Sequence, residues 1–259
     1  MCCFSRPVER VEQTRIYARA DGARQLVVYE LKLVAEGELA MVLPVPVASG
    51  AAEEAIEFVD LTSSPAFFGG LEYAFRATGA HEAQALRKGG PQARLAVREV
   101  GAFEASFVPR AEDFDRLDPR FAIPSSLWAG VPAVRGFGFV VFKLRGGARV
   151  PRGIWQRLAG TPPASPRAFH PMAFWFPRRD GTRTFFPTLH VHDGSVHATA
   201  TFDHVLYAQG VPAPLGWRTS PHSWPDGIAG VGRGLVLDEP GHRIELRGTL
   251  PNADTWIDG

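Results

Sequence analysis

The sequence predicts an all-β or β-dominated protein, an antiparallel sandwich or barrel with a few short helices. Apolar stretches of strand length recur along the 259 residues, turn-forming residues separate them, and the helix candidates between them are short. Folds of this class commonly reach about 200–250 residues as one domain. We therefore predict that residues 1–259 form a single β-rich domain.

The first fifty residues predict a meander of three strands. Residues 13–19, 24–34 and 38–47 are rich in Val, Leu, Ile and Tyr, and turn-forming pairs such as Asp21-Gly22 separate them. Short apolar runs bounded by such turns are typical of antiparallel strands. We expect the first two strands to form a hairpin.

Further strands alternate with short helices along the rest of the chain. Helix candidates, selected by acidic first turns and terminating Gly or Pro, are 52–60, 81–88 and 111–118. Strand candidates are 94–100, 102–108 and 134–144, with a C-terminal hairpin of 234–238 and 242–248. The Gly-, Pro- and Arg-rich stretch 145–167 is predicted to be irregular.

Composition is that of an ordinary globular protein. Hydrophobic residues make up 45% and charged residues 21%, with a formal net charge of +1. Arginines are scattered along the chain, so a nucleic-acid partner is not expected. No stretch approaches the ~20 apolar residues of a membrane span. The first residues lack the apolar core of a secretory signal, so we expect a cytoplasmic protein without a membrane partner.

A cluster of histidines is the strongest chemical signal in the sequence. Five of the eight histidines lie within 35 residues, at His170, His190, His192, His197 and His204. Imidazole is the commonest metal ligand among side chains. This density indicates a transition-metal site.

The pair Asp193-Gly194 predicts which of these histidines share a face. It is the strongest short-range signal for a two-residue type I′ turn, and it lies between the strand candidates 184–192 and 195–202. Such a turn fixes the register of the two strands. A slip of one residue would move a side chain to the opposite face.

In that register three histidines share one face of the hairpin. His190 lies opposite His197, and His192 is two residues from His190 on the same strand. Opposed Cβ atoms are about 4.5–5.5 Å apart, so the three imidazoles can converge on one ion at about 2.0–2.1 Å. The layout resembles the ligand arrangement of α-type carbonic anhydrases and, more loosely, of cupins. The acidic ligand that many cupins place after His-x-His is absent.

Five other residues are candidates for additional ligands or for partners of the ligands: His170, His204, Asp203, Cys2 and Cys3. Asp203 and His204 lie about 20–23 Å beyond His197 along a straight strand, and His204 has the wrong parity for the shared face. They join the site only if the chain bends. His170 shares the face only if the turn at 178–181, which separates it from the strand of His190, has a three-residue loop.

The N-terminus suggests a second kind of chemistry. Removal of Met1 would make Cys2 the first residue, with a thiol beside an α-amine of pKa about 7.7–8.0. This is the arrangement of hydrolases that use an N-terminal cysteine nucleophile. Cys2 and Cys3 are alternatively soft ligands that favour Cu(I) or Zn(II), or incidental thiols.

The sequence therefore predicts a mononuclear transition-metal protein in which His190, His192 and His197 bind the ion. The leading function is a metalloenzyme that acts on a small molecule, with Zn, Cu or Fe as the cofactor, because imidazole suits all three. Hydrolytic and oxidative roles both remain open. The alternatives are a hydrolase with Cys2 as nucleophile and a non-catalytic metal (copper) carrier or β-rich binding module. The catalytic groups and the oligomeric state are not indicated by any motif.

Overall fold

The prediction of a β-dominated fold is confirmed. The structure, a computed structural model, describes residues 2–35, 37–76, 98–100, 103–117, 123, 127–128, 131–144, 148–149, 166–224 and 234–259. Within these residues the strands form two large sheets and one two-stranded ribbon, and the helices are short.

The first sheet consists of β1 (Cys2–Phe4), β4 (Leu39–Val45), β6 (Arg98–Val100), β7 (Phe103–Val108), β8 (Gly138–Leu144) and β13 (His190–Val191). Its spatial order is β13-β1-β4-β8-β7-β6. Neighbouring strands are antiparallel except β1 and β13, which are parallel. The predicted strands near 38–47, 102–108 and 134–144 are thus present, and they form the centre of this sheet.

The second sheet consists of β2 (Arg10–Asp21), β3 (Arg24–Val34), β5 (Glu57–Val59), β9 (Ala148–Arg149), β10 (Arg167–Ala168), β11 (Met172–Pro177), β14 (Thr199–Gln209), β15 (Arg218–Thr219) and β16 (His242–Pro251). Its order is β15-β16-β14-β2-β3-β10-β9, and β11 pairs with both β3 and β5. Because β14 is parallel to β2, this sheet is mixed rather than purely antiparallel. The ribbon pairs β12 (Arg183–Phe186) with β17 (Thr255–Asp258).

The three-strand meander predicted for the first fifty residues is not formed, and only its first two strands pair as expected, in the second sheet. Strands β2 and β3 form an antiparallel hairpin in which Asp21 pairs with Arg24, and Gly22 takes the left-handed conformation that the turn requires, with φ +55°. The third strand, β4, leaves for the other sheet and pairs with β1 and β8. The chain therefore crosses between the two sheets within its first 45 residues.

Apolar side chains fill the space between the two large sheets. Phe142 of the first sheet lies with its ring centroid 6.1 Å from that of Phe174 in the second, and both side chains are fully buried. A second apolar cluster covers the opposite face of the second sheet, where Tyr17 and Trp224 pack with the helix α1 (Phe67–Tyr73). The second sheet is thus covered on both faces.

Several local predictions are wrong because tertiary pairing outweighs local propensity. Residues 52–60 contain only a 3₁₀ turn at Glu53–Ala55 before β5, which pairs with β11. By contrast, the short acidic helix predicted at 111–118 is present, as a 3₁₀ helix at Ala111–Arg116. A further 3₁₀ turn spans Pro132–Val134. Residues 234–238 form no strand, and β16 pairs instead with β14 and β15.

Other expectations concern parts of the chain that the structure does not describe. The helix candidate 81–88 lies outside the described residues, and so does most of the stretch 145–167. Of the strand candidate 94–100, the described part forms β6. Helix α1 was not predicted, because its Gly69-Gly70 pair disfavours a helix. Burial of Phe67, Phe68 and Leu71 on the second sheet stabilises it instead.

Candidate functional site

The hairpin predicted at Asp193-Gly194 is not present. Strand β13 pairs with β1, whereas β14 pairs with β16 and β2, so the strands on either side of the turn do not pair with each other. Asp193 Oδ1 instead accepts a hydrogen bond from the backbone N–H of Ser195 at 3.0 Å. This local turn, with Gly194 at φ +81°, belongs to an irregular loop between the two strands.

Because the register is different, His197 does not face His190 as predicted. His197 lies in the loop with 61% of its side chain exposed, and its Nε2 is 2.9 Å from Oδ2 of Asp193. The hydrogen bond from His197, followed by that from the Ser195 backbone, holds the pKa of Asp193 below its usual value. The imidazole of His197 thus contacts Asp193 of its own loop and not the other histidines.

His204 occupies the position opposite His190. Their Nε2 atoms are 3.2 Å apart, and both residues are buried, with exposed fractions of 8% for His190 and 2% for His204. His190 belongs to β13 in the first sheet and His204 to β14 in the second. The two large sheets therefore each supply one imidazole to a single contact.

Aromatic rings surround this pair. The ring of Phe202 stacks on that of His190, with centroids 4.5 Å apart, and the ring of His192 stacks on His190 at 4.6 Å. Phe4 contacts His192 at 5.6 Å. His192 is partly exposed, so it lies between solvent and the buried pair.

Burial keeps both paired imidazoles neutral. Desolvation, followed by repulsion from His204 and His192, lowers the pKa of His190 to about 2. Desolvation is also the main cause that lowers the pKa of His204, to about 3. Neutral imidazole is the form that binds metal ions or accepts a proton.

The hydrogen bond between the two rings selects a tautomer. Nδ1 of His204 is buried and has no hydrogen-bond partner within the part of the chain that the structure describes. Burying an N–H without an acceptor costs about 1–3 kcal/mol. We infer that His204 carries its proton on Nε2 and donates it to Nε2 of His190.

Asp203 lies on the opposite face of β14 from His204. Its Oδ2 accepts a hydrogen bond from the backbone N–H of Gln13 at 3.1 Å, and its Oδ1 accepts one from Arg247. Gln13 has φ +52° at a β-bulge, immediately before the residue that pairs with His204. The predicted parity is therefore reversed: with β14 paired to β2 and β16, His204 points inward and Asp203 outward.

The remaining candidates lie at different distances from the pair. The backbone of Cys2 pairs with that of His190 in the parallel ladder. Cys3 pairs with Val191 and is fully buried in the apolar core. His170 lies in the segment before β11, where its ring contacts Phe103 at 4.4 Å and its Nδ1 is 3.0 Å from the carbonyl oxygen of Pro171. These contacts place the half-buried His170 beside Phe103 of β7.

Within the described residues, no group of three or more His, Cys, Asp or Glu side chains is arranged so that it could hold a metal ion. The buried pair of histidines has two nitrogens in contact, with the third histidine stacked beside it. A cleft of about 540 Å³ lies beside Phe4, whose ring contacts His192. Phe4 and the loop residues Asp193, Ser195 and Val196 contribute to its lining, together with Arg6.

Sequence reasoning missed two residues that contact His190. The ring of Phe202 stacks on its imidazole, and the side chain of Asn252 makes hydrogen bonds with its backbone. Phe202 has the same strand parity as His204, so the correct pairing of β14 would have predicted it. Asn252 is 62 residues from His190 in the sequence, and no local pattern links the two.

The sequence matches no protein-family model and no curated protein. Among solved structures, the chain is similar to the crystal structure of baculovirus P35, with a TM-score of 0.47, 11% identity and coverage of 96% of each chain. A likeness at this level carries no argument about function. In the described part of the chain, no helix has the length and hydropathy needed to cross a membrane.

Proposed function

We propose that this protein binds one transition-metal ion through Nε2 of His190 and Nε2 of His204, and that the ion acts on a small molecule. The observation that carries the proposal is the 3.2 Å separation of these two nitrogens. If an ion is bonded to both nitrogens at about 2.0–2.1 Å, the nitrogen–metal–nitrogen angle is about 100°. This angle is close to tetrahedral and favours zinc over a linear two-coordinate ion.

His192 is the third ligand in this proposal. It lies close enough to both histidines to lower their pKa values, and its ring is stacked on His190 rather than pointing at the shared space. Rotation of this partly exposed side chain would complete three-histidine ligation and leave a fourth position for water or substrate. His197, which the sequence predicted as a ligand, is replaced by His204 in this proposal.

Metal binding requires the proton of His204 to move from Nε2 to Nδ1. The buried N–H that results costs about 1–3 kcal/mol, whereas structural zinc in zinc-finger peptides binds with roughly 10–16 kcal/mol. The proton shift therefore weakens the site without preventing binding. Apolar rings around the pair, Phe202 among them, exclude competing water.

The test is metal binding by the full-length protein purified without an affinity tag. Elemental analysis measures the metal content, and competition with a chromophoric chelator measures zinc affinity. Loss of even an outer partner of a metal ligand lowers affinity about 10–100-fold, so we expect H190A and H204A each to lower zinc affinity by at least about 100-fold. H197A is the matched control and should leave it unchanged.

A protein that carries no metal and binds added zinc, copper or iron equally well with and without His190 and His204 would contradict the proposal. Weakening by H197A as strong as that by H190A would contradict the assignment of His204, rather than His197, as the ligand. The response to H192A decides whether two or three histidines bind the ion.

A second candidate function, favoured by the pairing of Cys2 with His190 in the ladder, is a hydrolase with Cys2 as nucleophile. In a cytoplasmic location, which the sequence predicts, the thiol would remain reduced. The thiol would attack a carbonyl carbon and lose its proton to a base, the leaving group would take up that proton, and water would release the acyl group. The C2A variant, which removes the nucleophile, separates the candidates: it should abolish acylation by an activated ester if Cys2 is the nucleophile, with zinc binding by His190 and His204 retained.

A further inference from the structure

Asn252 holds the backbone of His190 through both polar atoms of its side chain. Its Oδ1 accepts a hydrogen bond from the N–H of His190 at 2.7 Å, and its Nδ2 donates to the carbonyl oxygen of His190 at 2.9 Å. The side-chain amide thus makes the two bonds that a neighbouring strand would make.

These bonds matter because β13 is very short. It has only two residues, and β1 is the strand that pairs with it within the described sheet. The amide of Asn252 holds the opposite side of His190. Its Nδ2 also donates to the carbonyl oxygen of His197 at 3.0 Å, which connects the far end of the loop to the same side chain.

Asn252 is itself fixed to the strands that carry His204. It directly follows Pro251, which pairs with Thr199 at the start of β14, and its N–H donates to the carbonyl oxygen of Ala198 at 2.9 Å. His204 lies on the same β14. One side chain therefore joins the backbone of His190, in the first sheet, to the strand pair that presents His204 from the second.

We propose that Asn252 is a positioning residue that sets the distance between the imidazoles of His190 and His204. This inference rests on the proposed function for its consequence, since a metal ion needs both nitrogens at bonding distance. Without the amide, β13 is held on one side, and a displacement of about 1 Å would take a nitrogen out of the range of metal–ligand bonds. Asn252 touches neither ring nitrogen in this arrangement; it acts through the backbone.

Asp254 provides a matched control. Its Oδ1 accepts a hydrogen bond from the N–H of Leu189 at 2.8 Å, the same kind of bond one residue earlier. Removing the carboxylate of Asp254 should loosen the same loop without releasing His190. The comparison of N252A with D254A therefore separates positioning of the histidine from general support of the segment.

The experiment measures zinc affinity and, in the metal-free protein near neutral pH, the NMR resonance of the imidazole proton shared by His190 and His204. We expect N252A to weaken zinc binding by about 10–100-fold and to lose that resonance. D254A should keep the resonance and bind zinc within about twofold of the parent. Its urea midpoint should shift about as much as that of N252A.

Equal effects of the two variants on zinc affinity and on the resonance would overturn the proposal, and so would an unchanged N252A. If the parent protein binds no zinc, the proposed function fails, and the resonance alone then decides about Asn252. Its loss in N252A but not in D254A would still support positioning.

Discussion

Acidification from pH 7 to pH 5 is expected to lower the free energy of unfolding of the metal-free protein by about 4 kcal/mol through His190 and His204. Burial lowers the pKa of His190 to about 2 and that of His204 to about 3, whereas an unfolded histidine titrates near 6.5. Between these values the unfolded chain binds protons that the folded protein excludes. Stability from this source is fully present above pH 6.5 and falls as the pH decreases.

Each histidine contributes about half of the expected loss, because a proton bound only by the unfolded state lowers stability by about 1.4 kcal/mol per pH unit. Urea denaturation at a series of pH values measures the effect. H190Q and H204Q should each reduce the loss between pH 7 and pH 5 to about 2 kcal/mol. Substitution of the exposed His222 should leave it unchanged. A parent protein with the same stability at both pH values would contradict the buried, neutral pair.

Truncation of Phe142 to alanine should lower the free energy of unfolding by about 3–5 kcal/mol. Phe142 is fully buried at the centre of β8, and its ring lies 5.8 Å from Phe58 and 6.1 Å from Phe174, both in the second sheet. The substitution removes contacts that join the two sheets and leaves a cavity that rigid neighbouring strands fill poorly.

The same denaturation curves test whether the chain is a single domain, which remains a prediction. If the core between the sheets forms one cooperative unit, fluorescence and near-ultraviolet circular dichroism should report one transition that F142A shifts as a whole. The fully exposed Leu215 provides a control, since L215A should change stability by less than about 0.5 kcal/mol. Two separate transitions, with only one affected by F142A, would indicate two domains.

The parts of the fold that the sequence predicted correctly are those with strong local signals. The hairpin of β2 and β3 follows from two apolar runs around Asp21-Gly22, and β8 follows from a run of Phe and Val. Where the signal was ambiguous, long-range pairing decided the outcome. Glu57–Val59 is a strand because β11 pairs with it, and no feature of residues 52–60 contains that information.

The candidate site shows the same division. The density of histidines pointed to the segment that contains His190, His192 and His204, but the predicted register assigned His204 the wrong face. The error came from one assumption, that Asp193-Gly194 joins two paired strands. Once β14 pairs with β2 and β16, the inward and outward positions of β14 exchange.

The sequence by itself determined the β-dominated class, the first hairpin and the segment in which titratable side chains concentrate, because strand alternation and turn geometry act over a few residues. Tertiary structure alone decided that His190 meets His204 and that Asn252 holds His190, since these contacts join a strand of the first sheet to a strand of the second and to the residue that directly follows another of its strands. A strand presents either of its faces to the core according to the partner it pairs with. That choice is made by the whole fold, where burial of the apolar faces of both sheets outweighs the preference of any single turn.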